Sequence, residues 1–162
     1  VQILGANAVH FDFLDCIYRR SQDGGWIYDN TFISPRSDDH DLIEHLKVDI
    51  TRRLKADDIV VCPLALGGHV DHVIARKAVE GLGRPLRYFA DIPYLLSDPS
   101  SLSQAVSSFQ PEVMDVSILA LIKWYKSAMA YRSQISMEFD SNVNMGKVLA
   151  SYWKKGFRLW QR

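Results

Sequence analysis

The chain has 162 residues, 48% of them hydrophobic, enough to bury one sizeable core and matching one globular domain over residues 1–162. Its 19 Lys and Arg balance 19 Asp and Glu for a formal charge of zero, which argues against a nucleic-acid surface of the electrostatic kind. The longest apolar run, residues 59–68, contains Pro63 and is about half of what a membrane-spanning helix needs, so no membrane span is expected.

Residues 8–14, AVHFDFL, alternate in polarity and are rich in aromatic and β-branched side chains, which predicts a strand. Residues 19–37 carry Asp23-Gly24-Gly25, Asp29-Asn30 and Ser34-Pro35, and predict a loop long enough to be functional. Leu42, Ile43, Leu46, Ile50 and Leu54 then recur at helical spacing behind the cap candidates Ser37, Asp38 and Asp39. Residues 58–66, DIVVCPLAL, form a continuous apolar run, the pattern of a strand buried on both faces of a parallel sheet. Gly67-Gly68 turns the chain into a helix whose apolar face is Ile74, Ala75, Ala78, Val79 and Leu82, with Asp71 as a plausible N-cap. Residues 86–90, LRYFA, complete a β-α-β unit, and right-handed crossover makes its strands parallel. The fold class is therefore α/β. Asp91, Tyr94 and Asp98-Pro99 follow that strand and face the same crevice as the glycine turn. A short strand is expected at residues 113–116, one long helix from Ile118 to Ile135 and a last helix at 145–153, with the basic, aromatic end YWKKGFRLWQR covering a surface edge.

Cys16 and Cys62 both lie in apolar stretches and make no disulfide framework, and the first residues lack a signal-peptide pattern, so a reducing, cytoplasmic setting is expected. Gly81-Leu82-Gly83 lacks the third glycine of a dinucleotide loop. The sharpest constellation is Gly67-Gly68-His69-Val70-Asp71-His72, at the carboxyl end of a strand and the start of a helix, where open α/β sheets bind ligands. One imidazole there can bind a metal while the other meets substrate. Asp71 either caps the helix or fixes a histidine tautomer from behind.

The run PLALGGHVDHVIARKAV, the strand leading into DIPYLL, YKSAMAYRSQI and the early LGANAVHFDFLD with YRR together resemble the PIG-L/LmbE-like family of zinc-dependent N-deacetylases. That resemblance implies a Rossmann-like three-layer sandwich with a mostly parallel sheet, and a Zn2+ cofactor. It makes His72 a metal ligand, His69 the group that stabilises the tetrahedral intermediate or protonates the leaving amine, and Asp71 its orienting carboxylate. It places Asp15, Arg19, Tyr94, Tyr131 and Gln134 near the sugar. The family's His-Pro-Asp-Asp-Glu motif, which supplies two metal ligands and the general base, does not occur in these 162 residues, and His10, His40 and His45 do not replace it.

The expected function is zinc-dependent removal of an N-acetyl group from a sugar or glycoconjugate of the N-acetylglucosamine type. The alternative is a catalytically incomplete sugar-binding or interaction domain on the same scaffold. A small-molecule partner is implied, and oligomeric state is open, a homo-oligomer included. Motif placement further predicts that Val1 is a cut edge, with the first strand, first helix and most of the metal site lacking, and that this piece alone is inactive and poorly stable.

Overall fold

A computed structural model describes residues 2–162, apart from the side chains of Pro93, Met137 and Glu138; the expectation attached to Val1 lies outside the described residues. In chain order the elements are α1 (His40–Thr51), β1 (Val60–Pro63), α2 (Val70–Glu80), β2 (Leu86–Phe89), α3 (Ile92–Ser97) and α4 (Ser100–Ala105). They continue with β3 (Gln110–Met114), α5 (Ile118–Ala128), α6 (Arg132–Phe139), α7 (Asn142–Lys154) and β4 (Phe157–Gln161). The sheet order is β1-β2-β4-β3. Strands β1 and β2 are parallel, with Val60 opposite Leu86 and Cys62 opposite Tyr88, as the crossover rule requires. Strand β4 joins β2 antiparallel, Tyr88 facing Trp160, so the sheet is mixed.

The chain gathers into two compact units. The larger holds Phe11–Pro111 and Leu159–Arg162, and the smaller holds residues 2–10 and Glu112–Arg158. In the larger unit, α2 buries Val70, Ile74, Ala78 and Val79 at the i, i+4 spacing that puts them on one face. Val70 and Ile74 join Cys16, Ile27 and Tyr28 in a core cluster, against which Leu42, Ile43 and Leu46 of α1 pack. Burying such side chains is the main stabilising term here, at roughly 1.5–3 kcal/mol each. In the smaller unit Trp124, Tyr152 and Phe157 meet edge to face, with ring centroids 5.6–6.2 Å apart. Met145 and Leu149 of α7 are buried, and the Trp153 indole N–H donates to the Val116 carbonyl at 2.5 Å.

Four expectations from sequence change. Residues 8–14 are not a strand: they find no ladder partner among the described residues, and Phe11 and Phe13 instead stack on each other at 6.3 Å. The helix expected to run from Ile118 to Ile135 breaks after Ala128, where Ala130 and Tyr131 bond to carbonyls three residues back, closing the last turn before α6 starts. The terminal segment is strand β4, paired with β2, rather than an edge cover. Finally, β1 is buried on one face only: Val60 and Cys62 point inward, while Val61 is 44% exposed and Ile59 beside it 67%.

Candidate functional site

The larger unit places the candidate site where β1 ends. Ala65, Gly67 and Gly68 all adopt left-handed backbone, with φ of 57°, 77° and 72°. At Gly67 a second constraint applies, because a Cβ there would sit 2.7 Å from the Tyr94 ring. Gly68 has open space at the corresponding position. Gly67→Ala is therefore expected to lose about 1–3 kcal/mol from backbone strain and ring displacement together, and Gly68→Ala the smaller, strain-only share. Urea unfolding of the two variants checks this, and equal losses would sink the claim that Tyr94 is seated on bare backbone.

The turn delivers His69 as the N-cap of α2: its Nδ1 accepts the Asp71 backbone N–H at 3.3 Å. This corrects the sequence reading of Asp71 as the cap. Because Nδ1 is the acceptor, the proton of the neutral ring sits on Nε2. Burial, and next the charge of His72, push the His69 pKa below its usual 6.5. A base lowered in this way contributes stability that is fully present above about 6.5 and is lost as pH falls toward its folded value. In metal-free protein the unfolding midpoint should decline on acidification below pH ~6.5, and His69→Gln should flatten that decline.

One turn along, His72 is held differently. Its Nδ1 lies 2.6 Å from Oδ1 of Asp91, a carboxylate 3% exposed whose Oδ2 accepts the Leu66 N–H at 3.0 Å. A carboxylate only accepts, so Nδ1 carries the hydrogen and the Nε2 lone pair is left available. The two imidazole centroids are 5.1 Å apart.

The Asp71 carboxylate bonds to neither ring. Its Oδ2 accepts the Cys16 N–H at 2.9 Å, and its Oδ1 accepts from the Arg19 guanidinium. Arg19 is 7% exposed and bonds Asp39 through its other terminal nitrogen at 2.6 Å. Asp39, 1% exposed, also accepts the Tyr28 hydroxyl, and that hydroxyl in turn accepts the Arg36 N–H at 2.9 Å. Arg19, expected to approach a sugar, thus spends its fork on two carboxylates behind the site. Burial and then the Asp39 hydrogen bond push the Tyr28 phenol up to about 12, so it remains a donor. Asp15 is exposed and caps the short turn at Cys16–Tyr18 by accepting the Ile17 N–H at 3.2 Å.

Tyr94, on α3, meets the His72 ring edge to face at 5.7 Å. Phe32, from the long loop, meets both His69 and Tyr94 at 5.7 Å. Tyr131 and Gln134 belong to the smaller unit: Tyr131 is exposed at the start of α6, and its carbonyl accepts the Gln134 N–H at 2.9 Å. Sequence reasoning missed Asp91, Asp39 and Phe32 as site residues. Asp91 carried a usable signal, an acid directly beyond a parallel strand on the same edge as the glycine turn.

The donor chemistry bears on a metal. His72 fits a ligand well, since a metal-bound histidine characteristically donates its other N–H to a carboxylate. Potential ligand atoms of Cys16, His69 and Asp71 also lie within 4.8 Å of one another. In this fold these groups are already engaged with one another and with the helix: burial, and then Asp71, push the Cys16 thiol up to about 12, both Asp71 oxygens accept hydrogen bonds, and His69 Nδ1 caps the helix. This trio is a helix cap with its supports.

No protein-family model matches the chain, and no curated protein matches it. Its fold is similar to the crystal structure of the zinc-inhibited form of teicoplanin deacetylase Orf2, with a TM-score of 0.74 and 24% sequence identity. The match covers 92% of this chain and 65% of that one, so this chain spans about two thirds of the neighbour's length. At that identity the likeness establishes fold alone, and it agrees with the α/β, Rossmann-like class expected from sequence.

Proposed function

We propose that the protein is a metal-dependent hydrolase of the PIG-L/LmbE-like kind, which removes an N-acetyl group from an amino sugar or glycoconjugate. The observation that carries this reading is the pairing of two differently prepared imidazoles, His72 with an open Nε2 and His69 with its proton on Nε2. One is set to give an electron pair and the other a hydrogen bond. The fold shared with a deacetylase supports the same reading.

Amide hydrolysis joins a water oxygen to the carbonyl carbon and breaks the C–N bond, leaving acetate and the free amine. His72 would hold a divalent metal, proposed to be Zn2+, which when bound supplies Lewis acidity for the carbonyl and the attacking water. His69 Nε2–H would donate to the carbonyl oxygen as negative charge develops there, and the positive end of the α2 dipole favours the same charge. Its lowered pKa keeps this ring a neutral donor at neutral pH. Asp71 would act from behind, holding the first turn of α2 against Arg19 and Cys16. The general base and further metal ligands belong, in this reading, to a His-Pro-Asp-Asp-Glu segment that these 162 residues do not contain, and this chain alone would be inactive. Asp15 and Tyr94 are proposed to contact substrate.

No helix among the described residues is long and apolar enough to cross a membrane. A cytoplasmic enzyme with a small-molecule substrate is the setting proposed. The experiment is metal analysis of full-length protein together with acetate release from N-acetylglucosamine derivatives. Because the similar structure is a zinc-inhibited form, zinc is titrated from one equivalent upward beside other divalent ions. Metal-loaded protein that releases no acetate from any of them overturns the reading. Sugar binding that survives His72→Ala, with no turnover, would instead favour a non-catalytic sugar-binding domain.

A further inference from the structure

We propose that Phe32, together with Tyr94, forms an apolar wall that receives a C–H surface of the substrate beside the scissile amide, which makes Phe32 a specificity-determining residue. This rests on the deacetylase reading above. Single exposed apolar side chains are ordinary on protein surfaces, so exposure alone says nothing. Phe32 differs in two ways. The residue is 53% exposed and yet its ring touches both His69 and Tyr94, with centroids 5.7 Å away in each case and planes nearly perpendicular. Its backbone is also fastened: the Thr31 carbonyl accepts the Val70 N–H at 2.8 Å, and the Phe32 N–H donates to the Asn30 side chain at 2.8 Å. The first of these bonds ties the loop to the opening residue of α2, one position after His69.

Tyr94 is seated just as firmly, its ring filling the space that a Cβ on Gly67 would take. Two apolar rings thus frame two imidazoles, an arrangement in which polar groups act on a reacting centre while the walls take up apolar surface. The recognised chemistry is an apolar C–H surface, which either the acyl chain or the face of the sugar ring can present.

The test uses full-length protein. Calorimetry measures binding of glucosamine carrying acetyl, butyryl or hexanoyl groups, and of N-acetylated amines with different sugars, to wild type, Phe32→Leu and Phe32→Ala. Phe32→Ala is expected to bind about tenfold more weakly, with Phe32→Leu between. Its exposed position leaves the fold intact, which circular dichroism verifies. If the wall takes the acyl chain, wild-type affinity rises with chain length and Phe32→Ala flattens the rise. If it takes the sugar face, all acyl lengths weaken equally and the effect follows the sugar. Ligands that bind Phe32→Ala as well as wild type overturn the proposal, as does wild type that binds none of them. Acetate release is scored separately: turnover with an indifferent Phe32 rejects the wall alone, and Phe32-dependent binding without turnover rejects the hydrolase reading while the wall stands.

Discussion

On the deacetylase reading proposed above, full-length protein carrying His72→Ala is expected to lose divalent-metal binding and acetate release while keeping its fold. The fold is spared because the His72 ring reaches solvent and the core residues of α2 are Val70, Ile74, Ala78 and Val79. A graded series makes the claim sharper. Asp91→Asn keeps a group able to accept the Nδ1–H but removes the negative charge that makes the ring a better donor, and outer partners of this kind are worth about 10–100-fold in metal affinity. The expected order of metal affinity is wild type, then Asp91→Asn, then His72→Ala, read by competition with a chromogenic chelator. His45→Ala, an exposed histidine on α1, serves as the control and should bind metal as wild type does. Equal affinity in wild type and His72→Ala would remove His72 from the metal site.

The second large effect lies behind the site. Replacing Arg19 with methionine should destabilise the protein by about 3–5 kcal/mol, because it strands a buried carboxylate without its counter-charge. Asp39 dominates that loss, being 1% exposed, whereas the Asp71 side chain keeps 28% of its surface in solvent and can be hydrated. Urea unfolding should show a lower midpoint at unchanged slope. Arg19→Lys should recover only part, since an ammonium cannot span both carboxylates as the guanidinium fork does. The double variant Arg19→Met with Asp39→Leu should be more stable than Arg19→Met alone, because removing both charges ends the desolvation penalty. A double variant as unstable as the sum of the two singles would show that the pair is not coupled in this way.

What could be read in advance followed local signals. The apolar run of β1, the glycine pair and the 3.6-residue rhythm of α2 all lie within some twenty residues, and each agrees with its neighbours. His69 and His72 were identifiable as candidates because they fall at the strand-to-helix junction. The roles within that junction were not. Asp71 has the chemistry of an N-cap, yet Arg19, 52 residues earlier, recruits its carboxylate and leaves the cap to His69. No local pattern contains such a choice, since it depends on which side chains the tertiary fold brings near. Asp39 misled in the same manner: beside a helix start it resembles a cap, but its side chain makes no cap bond and turns to Arg19 and Tyr28. Residues 8–14 have the alternation of a strand, and alternation reports only a two-sided environment. Strand β4 was legible in principle, since Phe157, Leu159 and their neighbours alternate, but the basic residues around them obscured it.

The stretch from Leu66 to His72 has almost no spare positions. The Leu66 N–H holds Asp91, Gly67 makes room for Tyr94, His69 closes the helix start, the buried Val70 anchors the Phe32 loop, and Asp71 secures Arg19. Each residue answers to a different partner, so a change at any one disturbs a neighbour that serves another purpose. The loop over residues 19–37 is looser, with most of its side chains facing solvent. Divergence toward new substrates therefore has one inexpensive route, through residues such as Phe32, while the histidine junction stays as it is. A directed-evolution library confined to the exposed positions of that loop, with the buried Arg19, Ile27 and Tyr28 held, would vary what is accepted and leave the reacting groups untouched.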